Sequence, residues 1–516
     1  MVEPLSDPLR KIVRGTGTMM LGMSIGFIFQ FAVRPVIARF GTEADYGVFS
    51  LALAILNFVV MLACLGLYEG VTIYLARFRA DGNSAKALST VNASLILATV
   101  ASLVFSVFLF FSADFIALHV FNTAELAWGL RIFAVGVPFF ALLYVVIAIL
   151  RGFDRAEGQA YFQNVLMNVL FLLFLLVAFF LGLKFVSVFY GYVAALFITV
   201  FGLVLYAVRT LPFLRFGQNE AALMKDLLGF SLPFLGIGAL SLVLLWADTL
   251  FLGYFKSADV VGLYNAASPL AQFITQPLGA LMVMYTPVVS GLYLQRRLVD
   301  LRRDFMIVTK WLTFVTMPLF LVLCLFPEAV LNLFFGESYI AAAPALRILS
   351  ICFMLRNFFG PNAGTLYAMG ESRFVMWSVL LAAIINVLLN VLLIPPLGMI
   401  GAAIALTVSL TLSSAIVSIR LYKLCRAQPL SLNLIKPVVA SVVLALLFRF
   451  VAGESCATSW WMVLLLFALY YVMYGLIVLL TRSFDREDIA LLLDIEKRSG
   501  INAGPIKKVL ARFVRL

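Results

Sequence analysis

Apolar residues fall along this chain in blocks of about twenty, the length a helix needs to cross a bilayer core. Each block is closed by a short polar or glycine-bearing turn. Fourteen blocks are read, near 16–40, 47–75, 88–112, 130–150, 160–183, 186–207, 229–255, 262–290, 308–326, 344–368, 375–395, 398–420, 434–452 and 460–481. No hydrophilic stretch of soluble-domain size lies between them. The pattern therefore predicts an all-α integral membrane protein of 14 transmembrane helices and no separate catalytic domain. The first block runs into Arg39-Phe40-Gly41 without a small-residue cleavage site, which predicts a retained first helix and not a removed signal peptide.

Composition strengthens this reading. The 516 residues are 64% hydrophobic and only 12% charged, against the roughly 25% charged that a soluble surface needs. The five cysteines are scattered without C-x-x-C spacing and His119 is the one histidine, so neither a disulfide framework nor a metal site is expected. No cofactor is expected either. A net charge of +12 raises the question of nucleic acid, but the basic residues sit beside the apolar blocks, which points to a lipid surface instead. Most of the 37 Lys and Arg fall on one side of the fourteen-span arrangement: Arg10 to Arg14, Arg77 to Lys86, Arg151 and Arg155, Arg209 to Lys225, Arg296 to Lys310, Arg373, Arg420 to Lys436, and the tail. The positive-inside rule then places both termini in the cytoplasm of a multi-pass cell-membrane protein. The tail segment from Ile506 to Leu516, IKKVLARFVRL, has an apolar face opposite Lys507, Lys508, Arg512 and Arg515, and is expected to lie on anionic lipids at the cytoplasmic face.

The chain also resembles itself. At an offset of about 215 residues, Ala38 to Ala52 aligns with Gly253 to Ala267, matching Phe40 with Phe255, Gly47 with Gly262 and Ala52 with Ala267. Leu130-Arg131-Ile132 meets Leu346-Arg347-Ile348 at nearly the same offset. Each match joins helices six apart, which predicts two parallel six-helix repeats plus two extra C-terminal helices. The expected division is a cytoplasmic N-terminus at 1–15, an N-lobe at 16–207, a cytoplasmic linker at 208–228, a C-lobe at 229–420, the two extra spans at 434–481 and a basic tail at 482–516. Two-lobed bundles of this kind bind cargo near the bilayer midplane and alternate access.

With six plus six plus two spans, the outer-loop runs Tyr46-Gly47-Val48-Phe49 and Val261-Gly262-Leu263-Tyr264, and LRGFDRAEGQ (Leu150 to Gln159) echoed by LYAMGESRF (Leu366 to Phe374), the chain resembles the polysaccharide transporters and oligosaccharide flippases of the multidrug/oligosaccharidyl-lipid/polysaccharide exporter superfamily. The resemblance implies a flippase that moves a polyprenyl- or dolichyl-(di)phosphate-linked oligosaccharide from the cytoplasmic to the outer leaflet, with a cationic cavity holding the head. Lipid II flippases look similar and use first-helix arginines there, for which Arg34 is the nearest match.

Polar residues inside the blocks are the candidate site. Arg356 sits deep in its block, and a guanidinium suits diphosphate because its fixed fork donates two parallel hydrogen bonds and keeps its charge when desolvated. Arg34 lies only about 9 Å from the outer end of its span at 1.5 Å per residue, with Asp248 at similar depth as the expected partner, a strut or an outer gate. Glu69 is expected either to couple a proton or sodium ion or to pair with Arg77 or Arg79. Asn57, Asn265, Gln272, Gln276, Asn357 and Asn362 add an amide lining suited to sugar, while Asn164 with Asn168 and Asn386 with Asn390 read as packing pairs. Pro35, Pro138, Pro233, Pro269, Pro277, Pro287 and Pro361 supply bends. The expected partners are a lipid-linked oligosaccharide and a coupling H+ or Na+, with the protein a monomer. The alternatives are a cation-coupled multidrug antiporter, whose cavity would favour carboxylates, and a membrane glycosyltransferase or polymerase, which needs paired carboxylates or a large outer loop. The outer loops near 113–129, 327–343 and 453–459 are short, which disfavours an enzyme.

Overall fold

The computed structural model describes residues 26–211, 221–428, 438–439, 441–447, 450 and 460–480. The N-terminal part of the first block, most of the 434–452 block and the basic tail lie outside the described residues. Those described are almost entirely helical. Among them ten helical stretches, some interrupted, are long and apolar enough to cross a membrane, from Glu43–Ala80 to Met399–Cys425. Of the other expected spans, the first is seen as helix α1 (26–40), the eighth is interrupted, and the last is the helix Trp460–Leu480.

The described residues divide into two compact units: those up to Ala266 together with Asn390–Met399, and those of Ala267–Leu389 and from Ile400 onward. Unit 1 begins with α1 and α2 (Glu43–Ala63). Thr42 caps α2 by a reciprocal pair of bonds with Asp45, satisfying two N–H groups that would otherwise be orphaned at the membrane edge. The block containing α2 does not continue as one helix. Leu65 and Gly66 take left-handed φ values of 50° and 74°, and α3 (Leu67–Ala80) starts anew. Gly66 is required by space as well as by φ, since a Cβ there would meet the Ser231 carbonyl oxygen at 2.1 Å.

Next come α4 (Ser84–Phe115), α5 (Glu125–Gly152), an eight-residue π-helical segment (Gln159–Leu166), α6 (Met167–Phe180), α7 (Ser187–Thr210) and α8 (Ala221–Phe255). Helix α5 is the centre of unit 1, packed against α2, α3, α4 and α7. Its Leu130, Phe133, Ala134, Val137, Ala141, Val145 and Ala148 are completely buried. Phe49, Phe133 and Phe189 interlock there with centroids 5.0 to 5.9 Å apart, the edge-on and tilted geometry that aromatic quadrupoles prefer. Outward faces are as apolar as the inside: Phe111 is 79% and Phe180 82% exposed. A solvent of hydrocarbon accounts for such faces where water would not.

Helix α9 (Ala258–Gln272) enters unit 1 at a close crossing with α2. A Cβ added at Gly47 would lie 1.7 Å from the Ala258 carbonyl oxygen, and one added at Gly262 2.0 Å from that of Glu43. These four positions are two pairs at the repeat offset, so the same contact is made reciprocally.

In unit 2 the chain runs on through a 3-10 turn (Phe273–Thr275) into α10 (Gln276–Leu294), then α11 (Leu298–Leu325), α12 (Pro327–Phe334) and α13 (Ala343–Phe358). Gly360, at φ 67°, breaks the last of these, and α14 (Asn362–Ala368) resumes after Pro361. Helices α15 (Ser372–Leu397) and α16 (Met399–Cys425) follow. Tyr285, Val289, Leu301, Phe305, Leu366, Val417 and Leu421 form one buried cluster of this unit. Arg131 pairs with Asp114 in unit 1, and Arg347, its counterpart at the repeat offset, pairs with Glu328 at 2.6 Å in unit 2.

Candidate functional site

The predicted residues gather at interruptions in the helices. A broken membrane helix leaves carbonyl and N–H groups without intrahelical partners, so breaks persist only where side chains or an aqueous cavity satisfy them. In unit 2, the α9–α10 turn lies beside the end of α13. Asn357, fully buried, donates its Nδ2 to the Ile274 carbonyl of that turn at 2.5 Å, while its Oδ1 has no partner. Gln272 donates to Ser268 Oγ at 3.2 Å, and Gln276 is exposed at the first position of α10. Arg356 is in the last turn of α13, one residue before Asn357. Four of the predicted residues are thus brought to one pair of breaks.

Arg356 itself is solvent-accessible although protein surrounds it, and it has no hydrogen-bond or ion-pair partner among the described residues. The sequence placed it near the middle of the 344–368 span, with a bend at Pro361; the break at Gly360 puts it at a helix C-terminus, where carbonyl dipoles favour a cation. Lys310, counted with the cytoplasmic arginines, is buried in α11 beside Thr309 and Thr313. The span reaches Leu298, ten residues before its expected start, because the Arg302 guanidinium satisfies the Cys425 carbonyl and the charged turn continues the helix.

In unit 1 the expected Arg34–Asp248 ion pair is not formed. Asp248 is 3% exposed, and its two oxygens accept from Tyr264 Oη at 2.6 Å and Asn390 Nδ2 at 2.8 Å. Asp248 is thus held by donors of α9 and α15, and Arg34 is not among its ion-pair partners. Arg34 lies beside the Tyr46 hydroxyl, which donates to the Asn265 carbonyl at 3.2 Å. Asn390, read as a packing amide, is therefore a carboxylate ligand. Its partner Asn386 is buried, and Asn168 bonds back to the Asn164 carbonyl at 2.7 Å, as a packing pair would.

Glu69 pairs with Arg151 of α5, at 3.3 Å, and not with Arg77 or Arg79. The reason is axial distance: Arg77 stands eight residues along the same helix, about 12 Å away at 1.5 Å per residue. Arg79 instead donates to the Gly152 carbonyl at 2.8 Å and pairs with Asp154. Asn57 turns back to its own helix, donating to the Leu53 carbonyl at 2.7 Å. Sequence reasoning missed Tyr264 and Arg151; the adjacent tyrosine and amide at Tyr264-Asn265 in an apolar block were the available signal for the first. Among the described residues no group of three or more His, Cys, Asp or Glu could hold a metal ion.

A family model for polysaccharide biosynthesis proteins matches residues 12–292, and one for MatE proteins matches residues 233–392. An uncharacterized membrane protein of Methanocaldococcus jannaschii is 24% identical over 411 residues, covering 76% of this chain and 80% of its own length. The teichuronic acid biosynthesis protein TuaB of Bacillus subtilis is 30% identical over 132 residues, 25% of this chain and 27% of that protein. In fold, the chain is similar to the lipid II flippase MurJ in its inward closed conformation, with a TM-score of 0.70 at 13% identity over 89% of this chain and 97% of that one. An inward-facing multidrug resistance MATE family transporter gives a TM-score of 0.64 at 18% identity over 80% and 97% of the two chains.

Proposed function

This chain belongs to the polysaccharide biosynthesis protein family, and on that premise we propose that it is a flippase for lipid-linked oligosaccharide, moving a polyprenyl- or dolichyl-(di)phosphate-linked glycan from the cytoplasmic to the outer leaflet by alternating access. The observation that carries the reading is Arg356: an accessible guanidinium, unpaired among the described residues, at a break in an apolar helix. A charge at membrane depth costs about 2.5–3.5 kcal/mol on insertion scales, and one with no internal counter-charge is compensated by water and by the anion it binds. Arg356 takes the phosphate; Gln272, Gln276 and Asn357 serve the sugar, with Arg34 and Asn57 in the same role in unit 1.

The reciprocal Gly47 and Gly262 contacts and the matched Arg131 and Arg347 ion pairs support two six-helix repeats, with lobes at 16–207 and 229–420 and fourteen spans in all. Asp248 and Glu69 are the coupling carboxylates for H+ or Na+. Both termini are cytoplasmic, the tail rests on anionic lipid, and the protein works as a monomer without catalytic chemistry of its own. Liposomes holding the reconstituted protein and a fluorescent polyprenyl-diphosphate-linked sugar supply the test. Wild type brings the sugar to the opposite leaflet and Arg356→Ala does not. Sugar translocation that ignores Arg356→Ala, together with export of cationic dyes, overturns the reading in favour of the antiporter to which the MATE-like fold also points.

A further inference from the structure

Several helices of this protein stop in the same way, and the exceptions carry information. Where α10 ends, the Arg297 amide donates to the Leu292 carbonyl at 2.9 Å and the Arg296 amide to that of Tyr293 at 2.9 Å, with Arg296 at a left-handed φ of 58°. The same pair of bonds closes α3 at Gly82, α6 at Gly182 and α14 at Gly370. Those three ends use glycine because a Cβ is penalised at the left-handed position. At the end of α5 the position is held by Asp154, and the gain is visible: its carboxylate pairs with Arg79. Arg296 is exposed and its guanidinium has no partner among the described residues. The end of α16 repeats the choice. The Arg426 amide donates to the Tyr422 carbonyl at 2.7 Å, its φ is 54°, and its exposed guanidinium is likewise without a partner among the described residues.

The two arginines share one corner of unit 2. Helix α11 opens two residues after Arg296, and one turn further on Arg302 holds the Cys425 carbonyl, next to Arg426, with Nε at 3.1 Å and Nη2 at 3.0 Å. Val289, Leu301, Leu421 and Cys425 belong to one buried cluster that packs the ends of α10, α11 and α16 together. Carboxylates at the corner are already engaged: Asp300 with Arg297 at 2.7 Å and Arg303 at 3.5 Å, Asp304 with Arg303 at 3.9 Å. Across residues 294–304 and 422–427, six basic side chains stand against two acidic ones, so the corner keeps a cationic surplus. Its flanks are apolar and bare, with Leu294 79% and Val299 76% exposed. Both α11 and α16 are long and apolar enough to cross a membrane, so the corner lies where two such helices end.

Bare leucine and valine on either side of an arginine pair suit the headgroup boundary of a bilayer, where alkyl groups meet acyl chains and guanidinium groups meet phosphates. A soluble polyanion would satisfy the charge and leave the apolar flanks in water. We propose that the corner formed by α10, α11 and α16 binds anionic phospholipid, with Arg296 and Arg426 donating to headgroup phosphodiesters and Leu294 and Val299 set among the acyl chains. A phosphate oxygen pair matches the two parallel N–H groups of a guanidinium, which glycine cannot offer. That is what offsets the cost of a side chain at two left-handed turns. The site lies outside the transport reading and depends only on these helices crossing a bilayer.

Native mass spectrometry of the full chain released from detergent tests the site, with phosphatidylglycerol, phosphatidylcholine and inorganic phosphate as probes. Phosphatidylglycerol should be retained about fivefold or more over phosphatidylcholine, the preference that one or two basic residues near a phosphate confer. Arg296→Gly combined with Arg426→Gly should bring the ratio close to one. The same variant should unfold thermally at the wild-type temperature or above it in lipid-free detergent, because glycine suits both turns. Arg77→Gln combined with Lys86→Gln, which removes two exposed charges from unit 1, should leave the ratio at the wild-type value. A wild-type ratio near one overturns the site, and so does a ratio that survives the glycine pair. A ratio that falls equally in the unit 1 variant reports bulk charge and overturns it too, as does phosphatidylglycerol that inorganic phosphate displaces. Earlier unfolding of the glycine pair would make the two side chains structural and sink the argument for a ligand. Since retention is read without translocation, neither outcome alters the standing of the transport reading, and loss of flipping alone does not alter the site.

Discussion

The Asp248 cluster makes the sharpest energetic prediction. The carboxylate is 3% exposed and Tyr264 2%, and the hydroxyl donates across 2.6 Å. A hydrogen bond to a charged group contributes about 1.5–3 kcal/mol, and the loss is felt in full because no water reaches the orphaned oxygen. Tyr264→Phe should therefore destabilise unit 1 by about 2 kcal/mol. Asp248→Leu removes the charge and the acceptor of two bonds, those from the Tyr264 hydroxyl and the Asn390 amide, at about 1–3 kcal/mol each. In the double variant Tyr264 no longer has a donor to lose, so the two changes should cost about 1–2 kcal/mol less than the sum of the singles. Denaturant unfolding of the protein in bicelles, followed by Trp fluorescence, measures all four corners of this cycle. Additivity within about 0.5 kcal/mol would refute the claim that this bond holds the carboxylate.

Other expectations follow from the same geometry. Arg34→Asp combined with Asp248→Arg should fail to restore translocation lost in either single variant, because no direct pair exists to be swapped; recovery would reinstate the gate expected from sequence. Glu69→Gln should shift stability by no more than about 1 kcal/mol in the same unfolding assay, since Glu69 and Arg151 keep 44% and 25% of their side-chain surfaces exposed. Gly47→Ala and Gly262→Ala should each lose about 1–3 kcal/mol or fail to fold, as read by monodispersity and thermal unfolding, because backbone oxygens occupy the space a methyl needs. Arg356→Lys should retain some flipping, reduced about tenfold relative to wild type in the liposome assay, since an ammonium keeps the charge and loses the paired donors. In a cysteine-free background, an impermeant maleimide should label Gly82→Cys from the cytoplasmic side and Asn122→Cys from outside; the opposite result overturns the topology.

Periodicity carried the helices and composition carried the membrane, because both are averages over many residues. The candidate site was legible only in part. Arg356, Asn357, Gln272 and Gln276 could be nominated because polar atoms in an apolar block are expensive wherever the helix points. Their convergence could not, since it depends on two helix breaks that cost only a few residues of sequence. Leu65 looks like any membrane leucine, and its left-handed φ is imposed by the fit of Gly66 against Ser231. Partners were harder still. Helical spacing suggested Glu69 with a basic residue of its own helix, whereas packing of α3 on α5 delivers Arg151 from the other side. The Asn386 and Asn390 spacing correctly marked a helix face but said nothing of the carboxylate opposite.

The charges nominated for the site sort into two kinds, and on the transport reading the sorting bears on mechanism. Asp248 and Glu69 are each held by groups of the same unit. A charge so held is a fixed cost, and breaking one bond of the set leaves the remainder in place, which suits a carboxylate that exchanges a small cation while the fold stays intact. Arg356 and Arg34 have no carboxylate paired with them among the described residues. On the transport reading their compensation comes from something that arrives and leaves, and a guanidinium answers an acid of phosphate type better than it answers water in a narrow site. A static membrane protein gains nothing from keeping arginines in that condition, because pairing or replacing them would stabilise it. A carrier does gain, since a site already neutralised in its empty state would have to break its own ion pair before binding the cargo.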